Sequence, residues 1–95
     1  MPATVGVLTI ELRVEDSHSL KDKRHVVKSL KDRLRHRFNV AVAEIDGMDT
    51  WQWSVIAATT VSADRSHCEQ VLRSVELECA SQLGAGMVRS EIELF

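Results

Sequence analysis

The sequence predicts an α+β fold with the element order βαββαβ. Two segments carry apolar residues at helical spacing, and four others are strand-like, either alternating or rich in β-branched and aromatic residues. Short polar or glycine-containing segments separate them. This order packs most simply as a four-stranded antiparallel sheet with both helices on one face, the ferredoxin-like arrangement. Right-handed crossovers would place the first and third strands side by side in its centre.

The first strand and first helix are the most clearly patterned elements. Residues 5–15 alternate, with the apolar side formed by Leu8, Ile10, Leu12 and Val14. Ser19 followed by Asp22 resembles a capping box and predicts a helix that begins at Leu20. The apolar stripe of that helix comprises Leu20, Val27, Leu30, Leu34 and Phe38.

The second half of the chain supplies the other three strands and the second helix. Residues 40–45 and 51–61 are rich in β-branched or aromatic residues and predict two strands joined by a turn at residues 46–49. Asp64 is placed to cap a second helix, which Gly84 and Gly86 end. Its apolar stripe comprises Cys68, Val71, Leu72, Val75 and Cys79. Residues 88–94 alternate and form the closing strand.

Length and composition indicate a single domain, residues 1–95, with the balance of apolar and charged residues typical of a soluble globular protein. No stretch approaches the roughly 20 apolar residues that a membrane span needs. The N-terminus lacks the pattern of a signal peptide. Cys68 and Cys79 lie too far apart along one helix to form a disulfide and are expected to be free and buried. We therefore expect a cytoplasmic protein that has no membrane partner.

The first helix is strongly basic. It holds eight of the twelve Lys and Arg residues, so residues 20–38 carry about +6 and the rest of the chain about −8. These residues are Lys21, Lys23, Arg24, Lys28, Lys31, Arg33, Arg35 and Arg37. Five of them form one line about 21 Å long, within an arc of about 80°. This stripe comprises Lys21, Arg24, Lys28, Lys31 and Arg35.

The stripe is not arranged for helix stability, since like charges three or four residues apart repel and its first members oppose the helix dipole. The sequence leaves three interpretations: a solvated face, a binding surface for RNA phosphates, or a contact for an acidic protein. We expect RNA or the ribosome as the leading partner. The alternative is a protein-interaction or self-association module, including a homodimer, that uses a sheet edge or the open sheet face.

The open face is a poor platform for stacking RNA bases. The outward positions of the first strand contain no aromatic residue, and the last strand adds Glu91 and Glu93. These outward positions are Val5, Val7, Thr9, Glu11 and Arg13. Trp53 is expected in the core. Trp51 is expected in the core or at the sheet end, with a partner contact as the alternative.

The sequence shows no catalytic constellation, metal site, cofactor motif or small-molecule site. The four histidines are scattered, and none pairs with a cysteine or carboxylate at ligand spacing: His18, His25, His36 and His67. Asp46 and Asp49 flank a turn, where carboxylates are common for conformational reasons. The glycines are isolated, so no phosphate-binding loop is present. A non-enzymatic protein is therefore expected.

Several segments resemble the YlxP-like family, a small bacterial family of unknown function. The resemblance is carried by SHSLKDKR at residues 17–24, by residues 37–44, by Trp51-Gln52 and by VSADR at residues 61–65. It implies a ferredoxin-like fold. Genes of this family often lie beside genes for translation initiation and ribosome maturation, which implies a role near the ribosome. It implies no catalytic residue, and residues 46–49 lack the histidine that relatives often carry in this turn.

Overall fold

The computed structural model describes residues 2–95 and has the predicted element order. The elements are β1 (Thr4–Arg13), α1 (Leu20–Arg37), β2 (Ala41–Asp46), β3 (Trp53–Ser62), α2 (Arg65–Leu83), a 3-10 turn (Gly84–Gly86) and β4 (Met87–Leu94). The strands form one sheet in the order β2-β3-β1-β4, and each neighbouring pair is antiparallel. The ferredoxin-like prediction is confirmed, with β1 and β3 in the centre.

Both helices cover the same face of this sheet. The buried side chains of α1 and α2 join those of the central strands in one apolar cluster. Its members include Leu8, Ile10, Leu12, Leu30, Leu34, Ile56, Leu72 and Val75. The opposite face of the sheet carries no covering element among residues 2–95, so it is the open face of the molecule.

Both helices begin at the predicted capping residues. The Ser19 hydroxyl accepts a hydrogen bond from the Asp22 amide at 3.1 Å, and the Asp64 carboxylate accepts from the amides of Ser66 and His67. The Asp22 carboxylate accepts from the His18 amide, one residue before the position used in a standard capping box. The short Asp22 side chain therefore still accepts a hydrogen bond at the start of the helix, but from the residue before Ser19 and not from Ser19 itself.

The expectation that Trp53 lies in the core is wrong. Strand β3 begins at Trp53, two residues later than predicted, and its core-facing positions start with Ser54. Because strand side chains alternate, Trp53 lies on the open face, where its indole Nε1 donates to the Glu11 carboxylate at 2.7 Å. Trp51 lies outside the strand and is 55% exposed, which also contradicts a core position.

The two cysteines are free and buried, as predicted. Burial raises the pKa of Cys79 to about 12, and the negative charges of Glu78 and Glu76 act in the same direction. Since the thiolate is the reactive form, Cys79 behaves as a small apolar residue of the core.

Candidate nucleic-acid interface

The predicted basic stripe lies along the flank of α1 that faces the edge strand β2. We call this side of the helix the β2 flank. Four of its five cations border a groove of about 290 Å³ between α1 and β2: Arg24, Lys28, Lys31 and Arg35. Lys21 is exposed one turn before this groove. The structure therefore places the five residues beside one another, on a surface open to solvent.

Asp32 neutralises part of this flank. Its carboxylate accepts a hydrogen bond from Lys28 at 2.7 Å, and it lies 3.8 Å from the Arg35 guanidinium. The hydrogen bond from Lys28, assisted by the nearby positive charges, lowers the pKa of Asp32. Arg35 also donates to the Val42 carbonyl at 2.6 Å, which fixes its side chain against β2.

Three members of the stripe have no carboxylate partner. Lys21, Arg24 and Lys31 form no ion pair with any residue in the range 2–95. Lys31 is half-buried and lies near Glu44, whose charge is balanced by another lysine. The flank therefore keeps a positive charge that the protein itself does not compensate.

The opposite side of α1, facing α2, is arranged differently. We call it the α2 flank. Arg33 and Arg37 both form ion pairs with Glu78 of α2, whose side chain is only 9% exposed. Gln82 donates to the same carboxylate at 3.0 Å. These arginines connect the two helices, so their charges are used within the fold.

Lys23 is the basic residue of α1 whose burial was not predicted from the sequence. It is fully buried, and its ammonium donates to the Glu44 carboxylate at 2.8 Å and to the Gly47 carbonyl at 2.6 Å. Burial by itself raises the pKa of Glu44, but hydrogen bonds from Lys23 and Ser54 outweigh it and hold that pKa below its usual value. Lys23 thus ties α1 to β2 and to the turn after it.

The turn at residues 46–49 is shaped by this lysine and by a glycine. Gly47 has a φ of 77°, a conformation that favours glycine, and its amide donates to the Asp46 carboxylate at 2.7 Å. No group of three or more His, Cys, Asp or Glu side chains in the described chain is placed to hold a metal ion. The Asp46 carboxylate therefore has a conformational role, because it accepts a hydrogen bond within the turn.

Sequence comparison with known proteins identifies the family of this chain. Residues 5–92 match the family model described as "Protein of unknown function (DUF503)". The chain belongs to this family. It is also 37% identical over 71 residues to "Uncharacterized protein YlxP" of Bacillus subtilis (strain 168), covering 75% of this chain and 77% of that protein. The YlxP-like resemblance is confirmed.

Solved structures of low sequence identity share the fold alone. SnoaB, a cofactor-independent oxygenase from Streptomyces nogalater, aligns with a TM-score of 0.53 at 18% identity, over 99% of this chain and 92% of that one. The de novo designed protein Foldit4 aligns with a TM-score of 0.52 at 16% identity, over 99% and 94% of the two chains. An enzyme and a designed protein thus share one backbone plan, so function must be argued from the residues.

No helix in the range 2–95 is long and apolar enough to cross a membrane.

Proposed function

We propose that this protein is a non-enzymatic, cytoplasmic RNA- or ribosome-associated factor that binds the phosphate backbone through the β2 flank of α1. The observation that carries the proposal is the row of five cations in which Lys21, Arg24 and Lys31 have no carboxylate partner. Lys and Arg side chains on one helix face supply the contacts to phosphates that dominate nucleic-acid affinity.

The charge distribution over the molecule supports a single docking side. Outside α1 the chain is acidic, and its open sheet face presents Glu91 and Glu93. Such a face repels phosphate, so RNA would approach from the helical layer. Because helical Lys and Arg contact phosphates without reading bases, we expect binding that depends on RNA shape rather than on sequence.

The test is a titration of structured ribosomal RNA fragments at several salt concentrations. If all five residues of the stripe contact phosphates, log affinity falls against log salt with a slope of about −3.5 to −4.5. Replacing Arg24 and Lys31 together by Gln should flatten the slope by roughly 1.4–1.8. These two residues are chosen because neither forms an ion pair, so the change breaks no salt bridge of the fold.

The matched control is Arg33→Gln with Arg37→Gln. It removes the same charge from the same helix, but on the α2 flank, where both arginines pair with Glu78. We expect it to leave the salt slope unchanged once circular dichroism has shown that the variant is folded. Equal flattening by both variants would mean that net charge alone governs binding, and absence of binding at low salt would refute the RNA proposal.

Ribosome association needs a separate measurement. Ribosomes sedimented from bacterial lysate should carry the protein at low salt and release it at high salt, because phosphate contacts are screened. The Arg24→Gln/Lys31→Gln variant should remain in the supernatant at a salt concentration that still retains the wild type. Retention of this variant equal to that of the wild type would contradict docking through the β2 flank.

A further inference from the structure

The two edge strands of the sheet, β2 and β4, differ in how their outer backbone groups are covered. On β2, the Val42 carbonyl accepts a hydrogen bond from Arg35 of α1 at 2.6 Å, and a bulge between Glu44 and Asp46 interrupts the strand. Strand β4 runs for eight residues, and no strand in the range 2–95 pairs with its outer edge. An uncovered edge of this length can pair with a further strand.

The free hydrogen-bonding groups of β4 follow from its pairing with β1. Val5 and Phe95 exchange both of their backbone hydrogen bonds, and opposite residues in an antiparallel ladder alternate between bonded and non-bonded pairs. Counting back from Phe95, the non-bonded positions of β4 are Leu94, Ile92 and Ser90. The N–H and C=O groups of these three residues therefore point away from the sheet.

Charged side chains alternate along the same strand on the open face of the sheet. These are Arg89, Glu91 and Glu93, which are exposed and form no ion pair with any residue that the structure describes. Arg89 lies opposite Glu11 of β1, but the Glu11 carboxylate accepts a hydrogen bond from the Trp53 indole at 2.7 Å. The edge strand therefore presents an arginine and a glutamate, two residues apart, whose charges the described chain does not pair.

We propose that β4 pairs antiparallel with β4 of a second copy of this chain, about a two-fold axis that is perpendicular to the sheet and passes between the two copies of Ser90. This register joins residues whose hydrogen-bonding groups are free, because Ser90 meets its own copy and Ile92 meets Val88. It also places Arg89 of each chain opposite Glu91 of the other, at a non-bonded pair, where side chains approach most closely. The edge is thus complementary to itself in hydrogen bonding and in charge, as an isologous interface requires.

The charges favour this register over its neighbours. An axis at residue 89 places two arginines opposite each other, and an axis at residue 91 or 93 does the same with two glutamates. An axis at residue 92 places Glu91 opposite Glu93 twice. Like charges directly opposite each other destabilise a strand pair. Among axes from residue 89 to residue 93, only the one at Ser90 places no like charges opposite each other.

The helical side of the sheet is compatible with the same axis. The Ser90 hydroxyl donates to the Glu76 carboxylate of α2 at 2.6 Å, so both copies of Glu76 lie near the axis. Each Glu76 is balanced within its own chain by Arg73, which lies 3.5 Å away and is exposed. Val88 is 49% exposed and Ile92 is half-buried, so each would be covered further by the other copy. The two carboxylates therefore enter the interface together with their own cations.

The interface is small and depends on backbone pairing. The bulge of β4 between Met87 and Arg89 limits regular pairing to residues 88–92 of each chain. Three bonded residue pairs supply about six hydrogen bonds between the two backbones. Interfaces of this size belong to the weak class, so we expect a dimer that dissociates on dilution.

This dimer is independent of the proposed RNA-binding site. The basic groove borders β2, at the opposite edge of the sheet from β4. Pairing through β4 would give one eight-stranded sheet with all four helices on one face and a basic groove at each end. Either proposal can fail without the other, because RNA binding and self-association are measured separately.

Sedimentation-velocity centrifugation of the full chain, at concentrations up to about 1 mM, tests the dimer. We expect a shift with concentration from 10.7 kDa towards twice that mass. Arg89→Glu and Glu91→Arg should each weaken the dimer by about tenfold, because each replaces both cross-strand ion pairs by pairs of like charge. The double variant Arg89→Glu/Glu91→Arg should restore it. The matched control is Glu93→Arg, the same charge reversal on the same strand, which meets no charged residue in this register and should dimerise like the wild type.

Hydrogen exchange locates the pairing without any substitution. In dilute protein the outward amides of Ser90 and Ile92 should exchange rapidly, and at concentrations that form the dimer they should exchange about tenfold more slowly. The Glu91 amide bonds to β1 within the chain and should be protected at both concentrations. A wild type that stays monomeric at about 1 mM, or a dimer that leaves Ser90 and Ile92 unprotected, would overturn the proposal. So would an unrestored double variant, or equal weakening by Glu91→Arg and Glu93→Arg.

Discussion

Both flanks of α1 carry cationic side chains, but the two flanks differ in how these cations are paired within the fold. On the α2 flank, Arg33 and Arg37 share one nearly buried carboxylate, Glu78. On the β2 flank, two of the five cations share one exposed carboxylate, Asp32, and the other three form no ion pair with the described residues. A cation that the fold does not pair is available to a partner, and a paired one is not. The difference arises from the neighbouring element and not from the helix, because α2 supplies Glu78 as an ion-pair partner to its flank.

The largest expected effect concerns the cation that belongs to neither flank. Lys23→Met should lower the free energy of unfolding by about 3–5 kcal/mol, because it leaves the Glu44 carboxylate partly buried without its ion-pair partner. Urea denaturation followed by circular dichroism measures this. The control is Lys28→Met, the same chemical change at a lysine whose ion pair is exposed, which should cost about 0.5 kcal/mol or less. Similar losses in both variants would refute the distinction between buried and flank cations.

The pairing of Lys23 with Glu44 also predicts how stability depends on pH. The pKa of Glu44 is lower in the folded protein than its usual value of 4.5, so the unfolded chain binds its proton first as the pH falls. The contribution of Glu44 to stability is therefore complete above pH 4.5 and is lost as the pH falls through the folded pKa. Denaturation curves from pH 7 to pH 3 should show that Glu44→Gln is less stable near neutrality and declines less steeply. Parallel curves for both proteins would contradict this role.

Removing the shared carboxylate of the α2 flank tests whether free cations alone suffice for RNA binding. Glu78→Gln leaves Arg33 and Arg37 without an ion-pair partner and should lower stability by about 1 kcal/mol. Because both arginines then carry unpaired charge, the salt slope of RNA binding should become steeper, by up to about 1.4–1.8. An unchanged slope would show that position on the helix, and not pairing, decides which cations contact phosphate.

The smallest effect is expected from Asp32, the exposed carboxylate of the β2 flank. Asp32→Asn removes a charge that repels phosphate and frees Lys28 and Arg35, so RNA affinity at low salt should rise by about two- to fivefold. Stability should change little, because exposed ion pairs contribute weakly. Fluorescence titration beside the wild type measures this, and an unchanged or lower affinity would count against docking on this flank.

Much of the contrast between the two flanks could be predicted from the sequence. The burial of Lys23 could also have been predicted, but it was not. Asp32 lies four residues after Lys28 and three before Arg35, so its neutralising role follows from helical spacing. Lys23 falls on the same helical stripe as Val27, Leu30 and Leu34, at intervals of four, three and four residues. That periodicity predicts burial, whereas Lys23 was counted only as one of the eight basic residues of the helix and was given no position.

The face of β3 that packs on the core could not be predicted from the sequence, for a different reason. Residues 51–54 alternate with both tryptophans on one side, whereas residues 55–58 are apolar on both sides, so the sequence left open which side of β3 faces the core. A shift of one residue reverses the face of every side chain. The register with β1 decides the matter by pairing Trp53 with Arg13 on the open face. Trp53 was therefore assigned to the core, although it lies on the open face of the sheet.

The sequence by itself determined the order of elements, the helix caps, the buried cysteines and the line of five cations, because these depend on spacing within one segment. Only the tertiary structure decided which cations are paired, since Glu44 and Glu78 reach α1 from other elements. It also decided the face of Trp53, through a register set between strands. Local periodicity specifies secondary structure, whereas the charge available to a partner depends on contacts between residues far apart in the chain.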